Sequence, residues 1–141
     1  LYTQRRVKNS QDIYQWFKSQ NIPDLIDPNE YHVTVTYSKA EVDPETMIFD
    51  NNDLIIEPSD VNFITNFDGY LVQLVLSNID LYERFIYFKE LGCSWDHETY
   101  KPHISIAITD EKNVVPYSGI IHLGPEEWNP LDENFTYRRD K

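Results

Sequence analysis

Residues 1–37 and 70–108 follow one plan: a strand, a helix, an eleven-residue stretch, and a second strand led by histidine. In the first half these elements are expected over 1–8, about 10–20, 21–31 and 32–37. In the second half they fall over 70–76, 79–91, 92–102 and 103–108. Asn9 or Ser10 can cap the first helix, and Ile13, Trp16 and Phe17 give it an apolar stripe. Ser77 or Asn78 can cap the second, with Ile79, Tyr82, Phe85, Ile86 and Leu91 as its expected buried face. Gly92 stands where a left-handed residue ends a helix. A duplicated β-α-loop-β unit predicts an α+β chain of two pseudo-symmetric lobes with equivalent final strands. Residues 61–67 and 70–76 read as a hairpin about Asp68-Gly69. Residues 41–60, with Pro44, Pro58 and Asn51-Asn52-Asp53, read as a hairpin or ordered excursion. Strands are expected at 117–123 and 134–139, separated by a loop holding Gly124-Pro125 and Asn129-Pro130. The whole of 1–141 reads as a single domain.

The two equivalent strands are His-Val-Thr-Val-Thr-Tyr (32–37) and His-Ile-Ser-Ile-Ala-Ile (103–108). Side chains alternate along a strand. Strict alternation puts His32, Thr34 and Thr36 on one face and Val33, Val35 and Tyr37 on the other. It likewise groups His103, Ser105 and Ala107, with Ile104, Ile106 and Ile108 packed behind. Each strand then offers an imidazole and a hydroxyl about 6.5 Å apart at ~3.3 Å per residue. The apolar face fixes the register, because a slip of one residue would bury the histidines.

Two imidazoles with ordinary pKa values near ~6.5 can act as one neutral base and one charged acid at neutral pH. Two hydroxyls between them can donate to the oxygens of a phosphate. That set suits phosphodiester cleavage by an internal nucleophile, with each proton transfer contributing ~10²–10⁴-fold and the donors stabilising the crowded charge of the transition state. His122 has Gly124 at +2 and fails the pattern, and His97 reads as loop surface. Cys93 is the sole cysteine, which suits a reducing cytoplasm and a small buried residue better than a nucleophile. The chain has no His-Glu-x-x-His, Cys-x-x-Cys, Walker or Gly-x-Gly-x-x-Gly pattern. No metal and no cofactor are expected.

Charge limits the partner. The chain carries 24 acids and 12 bases, a net of −12, and residues 9–137 hold only 6 of the bases against 23 of the acids. Tracking along duplex DNA or long RNA needs several Lys/Arg–phosphate contacts, and an anionic membrane surface is disfavoured for the same reason. From Glu41 to Asp68 there are eight acids and no Lys or Arg, best read as a solvated flank. No apolar run approaches the roughly 18 residues of a membrane span, and no signal peptide is expected. The chain opens on Leu1, so a preceding piece is expected. A small nucleotide in a local pocket stays compatible with this charge, and Arg5, Arg6, Lys39 and Lys101 are expected beside the groove.

The two motifs resemble those of the two-histidine (2H, LigT-like) phosphoesterases. Their flanks, His32-Val-Thr-Val-Thr-Tyr37-Ser38-Lys39 and Tyr100-Lys101-Pro102-His103-Ile-Ser105, resemble the phage anti-CBASS nuclease branch of that family. The resemblance runs from the first strand to about residue 110. Ser105 stands where Thr is commoner and keeps the hydroxyl. The resemblance implies a bilobal fold with antiparallel sheets about a central groove. It implies metal-independent attack of a ribose 2′-OH on the adjacent 3′–5′ phosphodiester of a cyclic di- or trinucleotide immune signal, such as cyclic GMP–AMP. His32 and His103 would move protons while Thr34 and Ser105 hold the phosphate. Tyr2 on the first strand can stack on a base. Trp128, in the expected Gly/Pro loop, can close over a base while Glu127 beside it reads amino groups. Lys101 supplies charge beside the second motif.

A monomer in the cytoplasm of an infected bacterial host is expected. Two other readings are a phosphodiesterase of RNA 2′,3′-cyclic phosphate ends and a non-catalytic acidic cyclic-nucleotide-binding module. The first needs a basic track for the RNA tail, and the second has no need of hydroxyl-paired histidines.

Overall fold

The computed structural model describes residues 1–58, 60, 62–76 and 78–131. In chain order the elements are β1 (Tyr2–Val7), α1 (Ser10–Lys18), β2 (His32–Tyr37), β3 (Leu54–Ile56), β4 (Asn62–Phe67), β5 (Tyr70–Val75), α2 (Ile79–Glu90), β6 (His103–Ala107) and β7 (Ile121–Asn129). Among these residues there are two antiparallel sheets, ordered β2-β1-β7-β3 and β4-β5-β6. The two-lobe plan is therefore present, with β1-α1-β2 matched by β5-α2-β6. The motif strands β2 and β6 are each the edge of their sheet, and they lie against one another. No helix among the described residues is long and apolar enough to cross a membrane.

The helices form where the sequence places them, with some changes of face. Ile13 and Phe17 of α1 are buried, and Trp16 is held at the rim by its indole N–H donating to the Val115 carbonyl at 2.9 Å. Asn9 puts its side chain on Ile120 and His122 and leaves the helix without a side-chain cap. Asn78 does cap α2, accepting from the Leu81 amide at 3.1 Å. The buried face of α2 is Leu81, Phe85 and Phe88. The expected Ile79 and Ile86 are exposed, because the helix turns Leu81 and Phe88, seven residues apart, to the core. Gly92 has φ +102, the conformation that terminates the helix without a Cβ penalty. The hairpin turn at Asp68 (φ 49) and Gly69 (φ 86) forms as expected.

The larger correction concerns β7. Residues 121–129 are one continuous strand, so Gly124, Pro125 and Trp128 stand in a sheet and not in a loop. Arg5 faces Glu126 and Val7 faces Leu123, so Gly124 and Pro125 together oppose Arg6. That bulge accommodates a residue without an N–H inside a paired strand. The strand expected over 134–139 lies outside the described residues.

Arg5 is also corrected. It is fully buried behind the sheet, far from the role of a groove cation. Its guanidinium donates to Asp50 Oδ2 (2.6 Å) and to the carbonyls of Asn52 (2.9 Å) and Gly124 (3.0 Å). Glu126, also buried, takes a bidentate contact from Arg84 of α2 at 2.7 and 2.8 Å. Burial works against the charge of Asp50, but the Asn52 amide and the Arg5 guanidinium outweigh it and hold its carboxyl below the ordinary range. A fully buried guanidinium is tolerated when its charge is paired, and here Nη1 and Nη2 are bonded while the buried Nε has no partner. This network ties β1, the 50–52 turn, β7 and α2 together behind the first motif strand.

Candidate active site

The register of the sheets shows how each motif strand presents its side chains. In β2, Arg6 faces His32 and Gln4 faces Thr34, but Thr3 faces Thr36, so Val35 is an extra residue. In β6, Leu74 faces His103 and Val72 faces Ser105, but Leu71 faces Ala107, so Ile106 is extra. Both motif strands are bulged immediately after the hydroxyl residue. A bulge reverses the alternation beyond it. Thr36 therefore turns inward, fully buried, where its hydroxyl meets Cys93, and Tyr37 turns outward to the groove. Ala107 turns into the core, and Ile108 becomes exposed. The expected common faces of His32 with Thr36 and of His103 with Ala107 are thus corrected, while the pairs His32–Thr34 and His103–Ser105 precede the bulges and keep their shared faces.

The histidines are clamped alike. His32 Nδ1 lies 2.8 Å from the Glu30 carbonyl, and His103 Nδ1 lies 2.8 Å from the Lys101 carbonyl. A carbonyl only accepts, so each Nδ1 carries a proton and donates it. Nε2 is then the nitrogen at which each imidazole gains or loses a proton. Each ring also meets an aromatic edge: Tyr2 packs on His32 with centroids 6.4 Å apart, and Phe67 on His103 at 5.2 Å. His32 is buried and His103 half-buried.

A cavity of about 920 Å³ is lined by Thr34 of the first motif and His103 of the second, whereas His32 and Ser105 are not among its lining residues. Tyr37, Lys39 and Lys101 line it, as does the Asn66–Asp68 segment at the β4–β5 turn. So does the 95–101 loop, where Trp95, His97 and Tyr100 form an aromatic wall. His97 is an exposed loop residue, as expected, and it also lines the cavity. Tyr100 spans the lobes. Its hydroxyl donates to the Thr34 carbonyl at 2.6 Å, while its ring stacks on Phe85 at 4.4 Å and 3°. Burial raises its phenol pKa far above neutrality, so it stays a donor.

The expected substrate contacts divide. Lys101 lines the cavity. Tyr2 is buried, and its hydroxyl lies 3.0 Å from Thr34 Oγ1 and donates to Gln4 Oε1 at 3.0 Å. Its ring packs on His32 and not in open space for a base, so it positions the motif. Glu127 faces Gln4 across β1 and β7 and pairs with Arg6 at 2.9 Å. Trp128 faces Thr3 on the opposite side of the sheet and stacks on Phe49 at 5.7 Å, which packs on Phe88 of α2. It rests on Phe49 but stays exposed, on the face that strand alternation turns from the groove. Tyr37, Phe67, Trp95 and His97 are among the cavity residues that sequence reasoning missed. The last two sit in the stretch leading to the second motif, which was the available signal.

Residues 1–138 match the anti-CBASS protein Acb1 family. The chain belongs to the Acb1 family. An Acb1 protein of Caulobacter sp. (strain RHG1) is 29% identical over 94% of this chain, and one of Sphingomonas paeninsulae is 27% identical over 96%. The chain spans 23% of the length of each of these relatives. The Acb1 protein of Vibrio phage KVP40 is 23% identical, and the match covers 94% of this chain and 86% of that protein. Among solved structures, the E. coli LigT crystal structure complexed with 3′-AMP superposes with a TM-score of 0.56. It is 11% identical, and the match covers 93% of this chain and 94% of LigT. The bilobal fold of this Acb1-family chain is thus LigT-like, in agreement with the fold implied by its motifs.

Proposed function

We propose that this chain is a phosphodiesterase that opens small cyclic oligonucleotides, such as cyclic GMP–AMP, and so silences the signal that triggers CBASS defence. The observation that carries this reading is the pair of imidazoles, each with its Nδ1–H on the carbonyl two residues upstream and each followed at +2 by a hydroxyl. Membership of the anti-CBASS Acb1 family supports it.

One imidazole takes the ribose 2′-OH proton on Nε2 as that oxygen attacks the adjacent phosphorus. The other, protonated on Nε2, gives its proton to the departing 5′ oxygen. The first product carries a 2′,3′-cyclic phosphate, which water then opens to a terminal phosphate. Thr34 and Ser105 donate to the phosphate oxygens, where stabilisation of developing charge counts most. The reaction needs no metal and no cofactor, and its place is the cytoplasm of the infected host. The protein acts as a monomer.

Incubation with cyclic GMP–AMP in EDTA, followed by chromatography, tests the proposal. Linear products are expected. Intact ring would overturn it and favour a binding module, and cleavage that stops in EDTA would overturn the metal-free route.

A further inference from the structure

Lys39 and Lys101 are the two Lys or Arg side chains among the described residues that line the cavity, against three carboxylates, Asp68, Asp96 and Glu98. The two cations stand in different places. Lys101 is two residues from His103, and its carbonyl clamps that imidazole. Lys39 follows β2, at the opposite end of that strand from His32. Its backbone amide donates to Ser94 Oγ at 2.9 Å, and its ammonium lies 2.8 Å from Asp96 Oδ2. Both side chains of this pair are well exposed. Exposed pairs of this kind are weakly held and screened, and a phosphate is a good substitute partner for an ammonium on a flexible stem.

The cavity, about 920 Å³, is at the upper end of the range that holds drug-sized ligands. On the cyclic-oligonucleotide reading above, a ring brings at least two phosphates into it. One lies at the histidines, beside Lys101. The other lies in the same cavity, in a chain of net charge −12, and needs its own cation.

We infer that Lys39 binds the phosphate of the ring that is not being cleaved, exchanging Asp96 for it when the ring enters. The pair selects for a cyclic ligand with a second phosphate over a nucleotide with one. Asp96 lowers affinity for every anion that cannot displace it, so the two partners have opposite effects on binding.

The test is calorimetric binding of a 2′-deoxy cyclic dinucleotide, which lacks the attacking hydroxyl and stays intact. A nucleoside 3′-monophosphate serves as the one-phosphate probe. Lys39→Met is expected to weaken the ring about tenfold, the loss of one charge-assisted contact. It should lower the slope of log affinity against log salt by about one and leave the monophosphate unchanged. Asp96→Asn is expected to tighten the ring. Equal losses for both ligands in Lys39→Met, no loss at all, or weaker ring binding in Asp96→Asn would each overturn the inference. Failure of the wild-type protein to cleave a ribose ring would instead count against the proposed reaction, since these measurements read binding alone.

Discussion

The Tyr100 hydroxyl donates to the Thr34 carbonyl at 2.6 Å, joining the approach to one motif strand to the bulge of the other. Each lobe carries one of the two motif histidines, so the relation between lobes sets the relation between His32 and His103. Tyr100→Phe keeps the stack on Phe85 and removes only this bond. It takes one hydrogen bond from the Thr34 carbonyl, at a cost of about 0.5–1.5 kcal/mol. Urea unfolding should show that loss, and the turnover of cyclic GMP–AMP should fall with little change in KM. Wild-type turnover in Tyr100→Phe would show that the lobes hold their relation without it.

On the proposed reaction, replacing either imidazole removes one proton transfer. His32→Ala and His103→Ala are each expected to cut the cleavage rate by ~10²–10⁴-fold, with the fold intact by circular dichroism. A variant that kept near-normal cleavage would exclude its histidine from the reaction.

Glu126 is buried with two arginines near it, Arg84 at 2.7 Å and Arg5 at 3.8 Å. Glu126→Ala leaves buried guanidinium charge poorly compensated, a loss of about 3–5 kcal/mol. The thermal midpoint should drop sharply. Glu126→Gln, which keeps the shape and part of the hydrogen bonding, should lose less. Equal midpoints for wild type and Glu126→Ala would show the network to be dispensable.

Asp50 gives the acid response a definite sign. Its folded pKa lies below its unfolded one, held down by the Asn52 amide and Arg5 against the pull of burial. Its contribution to stability is therefore present above the ordinary aspartate pKa of about 3.9 and is lost as pH falls through the folded value. Thermal midpoints measured from pH 6 down to pH 3 should fall less steeply in Asp50→Asn than in wild type. An unchanged slope would place the acid response elsewhere.

The duplicated plan was legible because it rests on local signals: Asn78 as a cap, Gly92 as a stop, Asp68-Gly69 as a turn, and a histidine at the head of two alternating strands. His32–Thr34 and His103–Ser105 were legible because they are two apart and precede any irregularity. Tyr37 and Ile108 were not, because a bulge is a property of pairing and appears only when Thr3 and Leu71 are set opposite their partners. Arg5 misled for a related reason. Its burial depends on Asp50 and Gly124, 45 and 119 residues away, and no local pattern announces them. Trp128 was misplaced because Gly124-Pro125 reads as a break, whereas a bulge on β7 absorbs it.

On the proposed reaction, the matching Nδ1 clamps on His32 and His103 do not by themselves assign acid and base. Both rings carry the same tautomer and offer the same nitrogen, and the hydroxyls repeat the relation. In the proposed reaction the direction of chemistry follows the way the nucleotide lies: the imidazole nearer the 2′-OH becomes the base, and its counterpart the acid. On that reading the clamps select neither linkage of a two-nucleotide ring, and the bases of the ring decide which bond breaks first.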